Sequence, residues 1–325
     1  LRPNFSIGIT TYKRQQMLKE CLNSIIRQTY TDFEVIVGND YPGDTLSNEV
    51  LGIDDSRIRF INHAQNIGEM ENMNFLLRMS RGRYFTWLAD DDAYAPVFLE
   101  SVYRSLLQFS NPVCVFTSFV SDATVPELME KEIKKGQIFD GRQFLRLYLN
   151  HTFKIQGSCG VFNKEYLVQV GGMNKLGNGF GPYADNLLAI RSGLLDRVAF
   201  INAPLVFFRT HSQSISWTNT DVDAYRKAQE DLLSKSCKIF KSEKLNGDFR
   251  SNLYLLLSWC LNDFFSVMRR SGSLQSRKMI SYLMYVMRYS KLLGDYWYPL
   301  IFTILYGFGR LVKTLTLTRI KRDLE

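Results

Sequence analysis

From residue 5 to about residue 120, short apolar runs alternate with stretches in which apolar positions return every three or four residues. Runs of the first kind suit strands covered on both faces, and the second kind suits helices with one buried stripe. Their order predicts a mostly parallel sheet with crossover helices. Phe5-Ser6-Ile7-Gly8-Ile9-Thr10 is the first expected strand, and Leu18, Leu22, Ile25 and Ile26 line the buried side of the helix after it. Phe33-Glu34-Val35-Ile36-Val37 and Ile58-Arg59-Phe60-Ile61 are the next two strands; a helix is expected over 69–80, and Tyr84-Phe85-Thr86-Trp87-Leu88 is the fourth strand. A helix opened by Pro96 leads to a further strand at Val113-Cys114-Val115-Phe116. Polar turns fall after strands one, two and four, and in a parallel sheet the ligand crevice lies at those carboxyl ends, which suggests a nucleotide. The pattern weakens over 121–220, where a glycine-rich stretch runs from Gly171 to Gly181, and from about 222 it is helical to the end. The expected division is an α/β domain over 1–220, with a nucleotide-binding half at 1–120 and a second-substrate half at 121–220, followed by a helical region at 221–325.

A chain of 325 residues that is 46% hydrophobic has the means to bury a substantial core. Its formal charge of +8 is unevenly spread: residues 1–225 carry 22 Lys and Arg against 24 Asp and Glu, and residues 226–325 carry 18 against 8. A nucleic-acid enzyme concentrates positive charge around its reactive cleft, so no nucleic-acid partner is expected here. The basic charge sits instead on an aromatic, leucine-rich appendage, which suits an anionic membrane surface. The five cysteines are widely spaced without a CxxC pair, and only three histidines accompany them. They read as reduced core residues rather than a zinc site. The chain opens Leu1-Arg2-Pro3-Asn4-Phe5 and enters an apolar strand without the pattern of a secretory leader. A cytoplasmic protein, peripheral on the cytoplasmic face of the membrane, is the expectation.

The most specific local signal is Asp90-Asp91-Asp92 at the end of the fourth strand. Three adjacent carboxylates repel one another, and packing them beside a buried strand is costly unless a cation or hydrogen-bond donors compensate. A hard divalent ion bridging to a diphosphate would do so. The bland alternative is that Asp92 caps the helix near Pro96 while its neighbours face water.

Several further segments share an order with this one: Ile9-Thr10-Thr11-Tyr12-Lys13-Arg14, Gln28-Thr29-Tyr30-Thr31-Asp32-Phe33-Glu34, Asn39-Asp40, Asn66-Ile67-Gly68 with Asn74 beyond it, and Gly82-Arg83-Tyr84-Phe85 leading to Leu88-Ala89-Asp90-Asp91-Asp92. In that order and spacing, the first 120 residues resemble the nucleotide-binding half of the family 2 inverting glycosyltransferases, which have the GT-A fold. The resemblance implies sugar transfer from a nucleotide sugar, a UDP-sugar by preference, to a hydroxyl of a saccharide or lipid-linked saccharide, with a divalent metal, Mn2+ or Mg2+. It implies that Thr10 and Tyr12 line the base pocket, that Asp40 accepts a hydrogen bond from the base, and that Arg14, Asn66 and Asn74 belong to the donor side. Asp91 would be the metal ligand, Asp90 the ribose contact, and Asp92 a neighbour of both the metal and the transferred sugar. Many relatives carry an aspartate where this chain has Ala89, so the division of roles across 90–92 stays open.

The same resemblance places the catalytic base after a loop at the head of a helix, where this chain reads Gly181-Pro182-Tyr183-Ala184-Asp185-Asn186-Leu187. Asp185 is the candidate base; relatives often have Glu-Asp where Ala184-Asp185 stands. The alternative is a carboxylate that merely suits the helix N-terminus. Phe207-Phe208-Arg209-Thr210-His211 resembles the Arg-x-His segment that closes many such domains, so His211 is a candidate for the metal shell or the diphosphate, and otherwise a structural histidine. At the far end, residues 296–309 run without a charge, short of the roughly 20 apolar residues a bilayer crossing needs. Arg269, Arg270, Arg277 and Lys278 precede them and Arg310, Lys313, Arg319, Lys321 and Arg322 follow. Helices lying in the membrane interface, a core-packed cap with a solvated basic face, and a homo-oligomer contact all fit that pattern. Two other functions share the sheet and the carboxylates: a sugar-phosphate nucleotidyltransferase and a catalytically silent binding module. The former would show a glycine-rich phosphate loop after strand one, and Thr10-Thr11-Tyr12-Lys13-Arg14 has no glycine.

Overall fold

The computed structural model describes residues 2–122, 131–177, 182–211, 214, 219–272, 276–294, 300–301 and 304–313. Gly179 and Gly181 of the glycine-rich stretch, and residues 296–299, Arg319, Lys321 and Arg322 of the basic tail, lie outside the described residues. The chain forms two compact units, one of residues 1–144, 153–174 and 195–211, the other of residues 145–152, 175–194 and 212–325.

The first unit holds a sheet to which, among the described residues, nine strands contribute. β1 (Phe5–Thr11), β2 (Phe33–Asn39), β3 (Ile58–Asn62) and β4 (Tyr84–Ala89) pair in parallel in the order β3-β2-β1-β4. Helices α1 (Gln15–Ile26), α2 (Asn48–Leu51) and α3 (Glu69–Met79) make the crossovers, as the alternating pattern predicts. β1 and β2 are buried along almost their whole length, which is why they read as continuous apolar runs. Beyond β4 the sheet departs from the simple alternation. After the two-residue β5 (Ala93–Tyr94) and α4 (Phe98–Gln108), β6 (Cys114–Asp122) does not pair with β4; the short β8 (Gly160–Asn163) lies between them, antiparallel to both. β7 (Gln137–Phe139) and β5 pair antiparallel with the long β9 (Val198–Arg209), which runs parallel to β6. Helices α5 (Gly141–Leu149) and α6 (Lys164–Gln169) flank these strands in sequence.

Glu34 is the one acidic residue within the first two strands, and it is 3% exposed. It accepts hydrogen bonds from Ser6 Oγ at 2.6 Å, from the Arg81 backbone N–H and from Arg81 Nε at 2.9 Å. Burial raises its pKa, but the bonds from Ser6 and Arg81 outweigh burial and hold the carboxyl below its ordinary value. Glu34→Ala leaves those donors without their acceptor and should cost about 2 kcal/mol of stability, read by urea unfolding at neutral pH. Because the folded pKa is depressed, that contribution is complete above the unfolded value and fades as pH falls through the folded one, so wild type and variant should converge in acid.

The second unit holds α7 (Ala184–Arg191), α8 (Val222–Phe240), α9 (Phe249–Arg270) and α10 (Ser276–Ser290). α8 packs against α7, α9 and α10 around Leu232, Leu233, Phe240, Leu257, Phe264 and Tyr282, all fully buried. The five cysteines of the chain are buried. Among the described residues, no helix is long and apolar enough to cross a membrane.

Candidate active site

Strand register decides what meets at the carboxyl edge of the sheet. Thr10 stands beside Gly38 on one side and Ala89 on the other, and Thr11 stands beside Asn39. The three strands therefore stop together, and Tyr12 to Arg14, Asp40 and Tyr41, and Asp90 to Asp92 leave the sheet from one edge. β9 supplies a fourth segment: Phe207 pairs with Ala93, one residue past the aspartates, so Arg209 and His211 come to the same place.

The aspartates are buried, with 0% exposure at Asp90, 9% at Asp91 and 3% at Asp92. Arg14 answers two of them, Nη2 lying 2.6 Å from Asp90 Oδ1 and Nη1 2.9 Å from Asp91 Oδ2. The same Asp91 Oδ2 is 3.0 Å from His211 Nε2. Asp92 turns inward, accepting from the Arg209 backbone N–H at 3.2 Å and from Ser158 Oγ at 3.5 Å. It does not cap α4, whose cap position is Val97, with no side-chain cap hydrogen bond. Arg209 Nε donates to the Asp91 carbonyl at 3.1 Å, and its Nη1 lies 2.6 Å from Glu20 Oε2.

Acidic side chains outnumber basic ones at this edge. Four carboxylates, Glu20 and Asp90 to Asp92, meet two guanidiniums, Arg14 and Arg209. Burial lifts the Asp90 carboxyl to about 6 against the pull of Arg14. Burial, joined by the neighbouring Asp91 charge, pushes Asp92 well above the usual carboxylate range. Among the described residues no group of three or more His, Cys, Asp or Glu forms a metal cluster by itself. The Asp91 and His211 pair nevertheless suits a hard divalent ion, which takes one or two protein ligands and completes its shell from substrate phosphate and water. The imidazole nitrogen and the carboxylate oxygen, 3.0 Å apart beside two more buried acids, are the groups at this edge that could hold such an ion.

On the neighbouring side, Tyr12 is 43% exposed and its ring meets that of Tyr41 edge to face at 5.5 Å. Lys13 adopts a left-handed backbone with φ of 57°, unusual for a side chain of its size, and its ammonium stands 4.3 Å from the Tyr41 ring centre. Asp40 accepts from the N–H groups of Ile67 at 2.7 Å and Gly68 at 2.9 Å, and Asn66 Oδ1 also accepts from Gly68 N–H. Asp40 thus ties the 66–68 loop to the edge, each carboxylate oxygen keeping a second lone pair. Asn74 instead clasps the backbone of Met173 through both its amide groups, at 2.8 and 2.9 Å. A side chain at Gly172, where φ is +63°, would strike Asn74 Oδ1.

Asp185 belongs to the second unit, half-buried in the first turn of α7. Its neighbour Asn186 donates to the Tyr148 hydroxyl at 2.7 Å. Burial raises the Tyr148 phenol and the Asp185 charge raises it further, keeping it neutral.

Thr10, Tyr12, Arg14, Asp40, Asn66, Asp90, Asp91, Asp92 and His211 thus gather at or beside the edge. Lys13, Glu20, Tyr41, Tyr148 and Ser158 stand among them or beside Asp185 without having been singled out in the sequence. Tyr41 follows Asp40 directly, and Glu20 lies on the helix after strand one, so those two were within reach of the pattern; Ser158 carries no local signal.

The family model described as Glycosyl transferase family 2 matches residues 6–171. GlyG, a glycosyltransferase of Streptococcus pneumoniae, is 26% identical over 252 residues, covering 70% of this chain and 80% of the relative. Other curated relatives match a shorter segment, and the matches span 16%, 33% and 48% of the lengths of three of them. Among solved structures, S. aureus TarS superposes with a TM-score of 0.64 at 14% identity over 99% of this chain and 92% of that one. The mannosyltransferase PcManGT of Pyrobaculum calidifontis, in complex with GDP-Man and Mn2+, gives 0.53 at 14% identity over 96% and 88%. At that identity the likeness speaks for the fold alone.

Proposed function

Because the chain belongs to glycosyl transferase family 2 and has the GT-A fold, we propose that it transfers a sugar from a nucleotide-diphosphate sugar, a UDP-sugar first, to a hydroxyl of a saccharide or lipid-linked saccharide, with inversion and with a divalent metal. One observation carries the reading: Asp91 Oδ2, at the end of β4, lies within 3.0 Å of both an arginine and a histidine in a buried, net acidic edge. Asp91 and His211 would hold the cation, with Asp92 close by; when bound it neutralises charge on the departing diphosphate. Asp90 suits the ribose hydroxyls, Arg14 and Arg209 supply fixed positive charge at the edge, and Tyr12 with Tyr41 offers aromatic surface to the base. Asp185 takes the proton of the acceptor hydroxyl as its oxygen attacks the anomeric carbon and the nucleoside diphosphate leaves. TarS has been solved with UDP-GlcNAc and PcManGT with GDP-Man, which supports a nucleotide sugar and sets the range of donors to try.

Incubation with UDP-glucose, UDP-galactose, UDP-GlcNAc, UDP-GalNAc and GDP-mannose, with and without Mn2+, should release nucleoside diphosphate from a UDP-sugar only when metal is present. Pyrophosphate release from a nucleoside triphosphate and a sugar phosphate would instead make the protein a nucleotidyltransferase.

The membrane reading has support on α10. Its outward face presents Ile280, Met284 and Met287, each more than half exposed, beside exposed Arg277 and Arg288, and the helix has no acidic residue. Apolar side chains flanked by arginines suit an anionic bilayer at the cytoplasmic face, where a lipid-linked acceptor would lie. Replacing Ile280, Met284 and Met287 with serine should release the protein from vesicles containing phosphatidylglycerol in co-sedimentation. Unchanged vesicle binding with lost self-association would make the face a contact between copies.

A further inference from the structure

The second unit contains a buried polar knot whose purpose packing alone does not explain. The Tyr183 hydroxyl donates to Asp263 Oδ2 and accepts from Gln229 Nε2 at 2.9 Å, while Gln229 Nε2 also lies 3.2 Å from the same Asp263 oxygen. The Tyr282 hydroxyl donates to Gln229 Oε1, which completes the amide. Gln229 comes from α8 and Asp263 from α9, so two helices meet at the Tyr183 phenol, and α10 joins the knot through Tyr282 on the Gln229 amide. Tyr183 and Tyr282 are 8% and 0% exposed. Burial raises the Asp263 carboxyl, and the bonds from Tyr183 and Gln229 together with the Arg270 charge pull it back. A helical bundle has cheaper ways to fill its centre, since a polar group taken out of water must be matched bond for bond.

Tyr183 is also conformationally unusual. Its φ is +68°, a left-handed backbone that a bulky aromatic rarely adopts, and it is the residue from which α7 starts. Asp185 follows two positions later, in the first turn. Edge-to-face contacts with Trp259 at 5.7 Å and Tyr225 at 6.1 Å clamp the ring as the hydrogen bonds clamp its hydroxyl.

We infer that this knot is a positioning device for Asp185: Gln229, Asp263 and Tyr282 hold Tyr183 in its left-handed conformation, and Tyr183 sets the direction in which α7 presents its first carboxylate. The C-terminal helices are then part of the catalytic machinery rather than an appendage to it, acting through one backbone rather than by touching substrate. The inference rests on the assignment of Asp185 as the base.

The test is a double-variant cycle on the full chain, with nucleoside diphosphate release from the best donor of the panel, Mn2+ present, as the readout. Turnover is expressed per nucleotide-binding site counted by UDP titration, so poorly folding variants still report on the molecules that fold. Tyr183→Phe keeps the ring and loses the hydroxyl; it should lower kcat about tenfold, the scale of a base displaced by a fraction of an ångström, with UDP affinity unchanged. Asp263→Asn should do the same. In an Asp185→Asn background, Tyr183→Phe should cost nothing further, because residues that act as a unit are not additive. Tyr285→Phe is the control, since its hydroxyl joins α10 to the Glu230 carbonyl of α8 at 2.8 Å outside the knot; its kcat should match wild type. Wild-type kcat in Tyr183→Phe alongside a large loss in Asp185→Asn overturns the inference and leaves the base standing. Losses that multiply in the double variant overturn it as well, since the hydroxyl then acts elsewhere. Normal turnover in Asp185→Asn removes the base, and the inference with it. If Tyr183→Phe yields no folded protein, Asp263→Asn and Tyr282→Phe run the same cycle with the same outcomes.

Discussion

Asp185→Asn is expected to lower transfer by about 10²-fold or more, the usual scale for a lost general base, while donor affinity stays at the wild-type level. The amide keeps the size of the carboxylate, so α7 keeps its packing, but it no longer accepts the acceptor's proton. The helix loses the favourable interaction between a first-turn anion and the helix N-terminus. Separate measurement of kcat and of donor binding by calorimetry decides the matter. A variant with normal kcat excludes Asp185 from proton transfer.

Asp91→Asn should be as severe, by about 10²- to 10³-fold in transfer, for a different reason. Asp91 Oδ2 is the atom approached by both Arg14, at 2.9 Å, and His211, at 3.0 Å. Removing its charge takes away the ligand that a divalent cation would share with a diphosphate. The signature is therefore in binding as well as rate: the tightening of UDP by Mn2+ should vanish, whereas Asp185→Asn keeps it. A variant whose UDP affinity still responds fully to Mn2+ would place the cation elsewhere.

Much of the site edge was legible in the sequence because buried strands announce their own ends. Apolar runs that stop at Thr11, Asn39 and Ala89 leave Tyr12, Asp40 and Asp90 at one edge as soon as the strands are parallel and in register, and parallel pairing follows from the helices between them. His211 was legible through the Arg-x-His segment and meets Asp91 as a consequence of the antiparallel pairing of β5 with β9. What the pattern did not reveal depends on distant partners. β8 is four residues long, too short for a period, and its place between β4 and β6 is decided by pairing on both sides. Asn74 looks like a donor-side residue from its neighbours, yet its amide goes to Met173, nearly a hundred positions on. The partners of Tyr183 lie 46 to 80 residues further along, and nothing local in Gln229 or Asp263 distinguishes them from any solvated polar residue on a helix.

The second unit is assembled from three separate lengths of chain, and the largest of them follows the other two in sequence. On the ribosome, residues 175–194 emerge well before α8, α9 and α10, so Tyr183 waits for its hydrogen-bond partners until those helices have been made. The sheet, whose strands end at residue 209, has everything it needs earlier. A chain halted near residue 220 would thus already carry the metal-ligand candidates while Tyr183 lacked Gln229, Asp263 and Tyr282, and on the positioning role inferred for Tyr183 its turnover should fall although the sheet is complete.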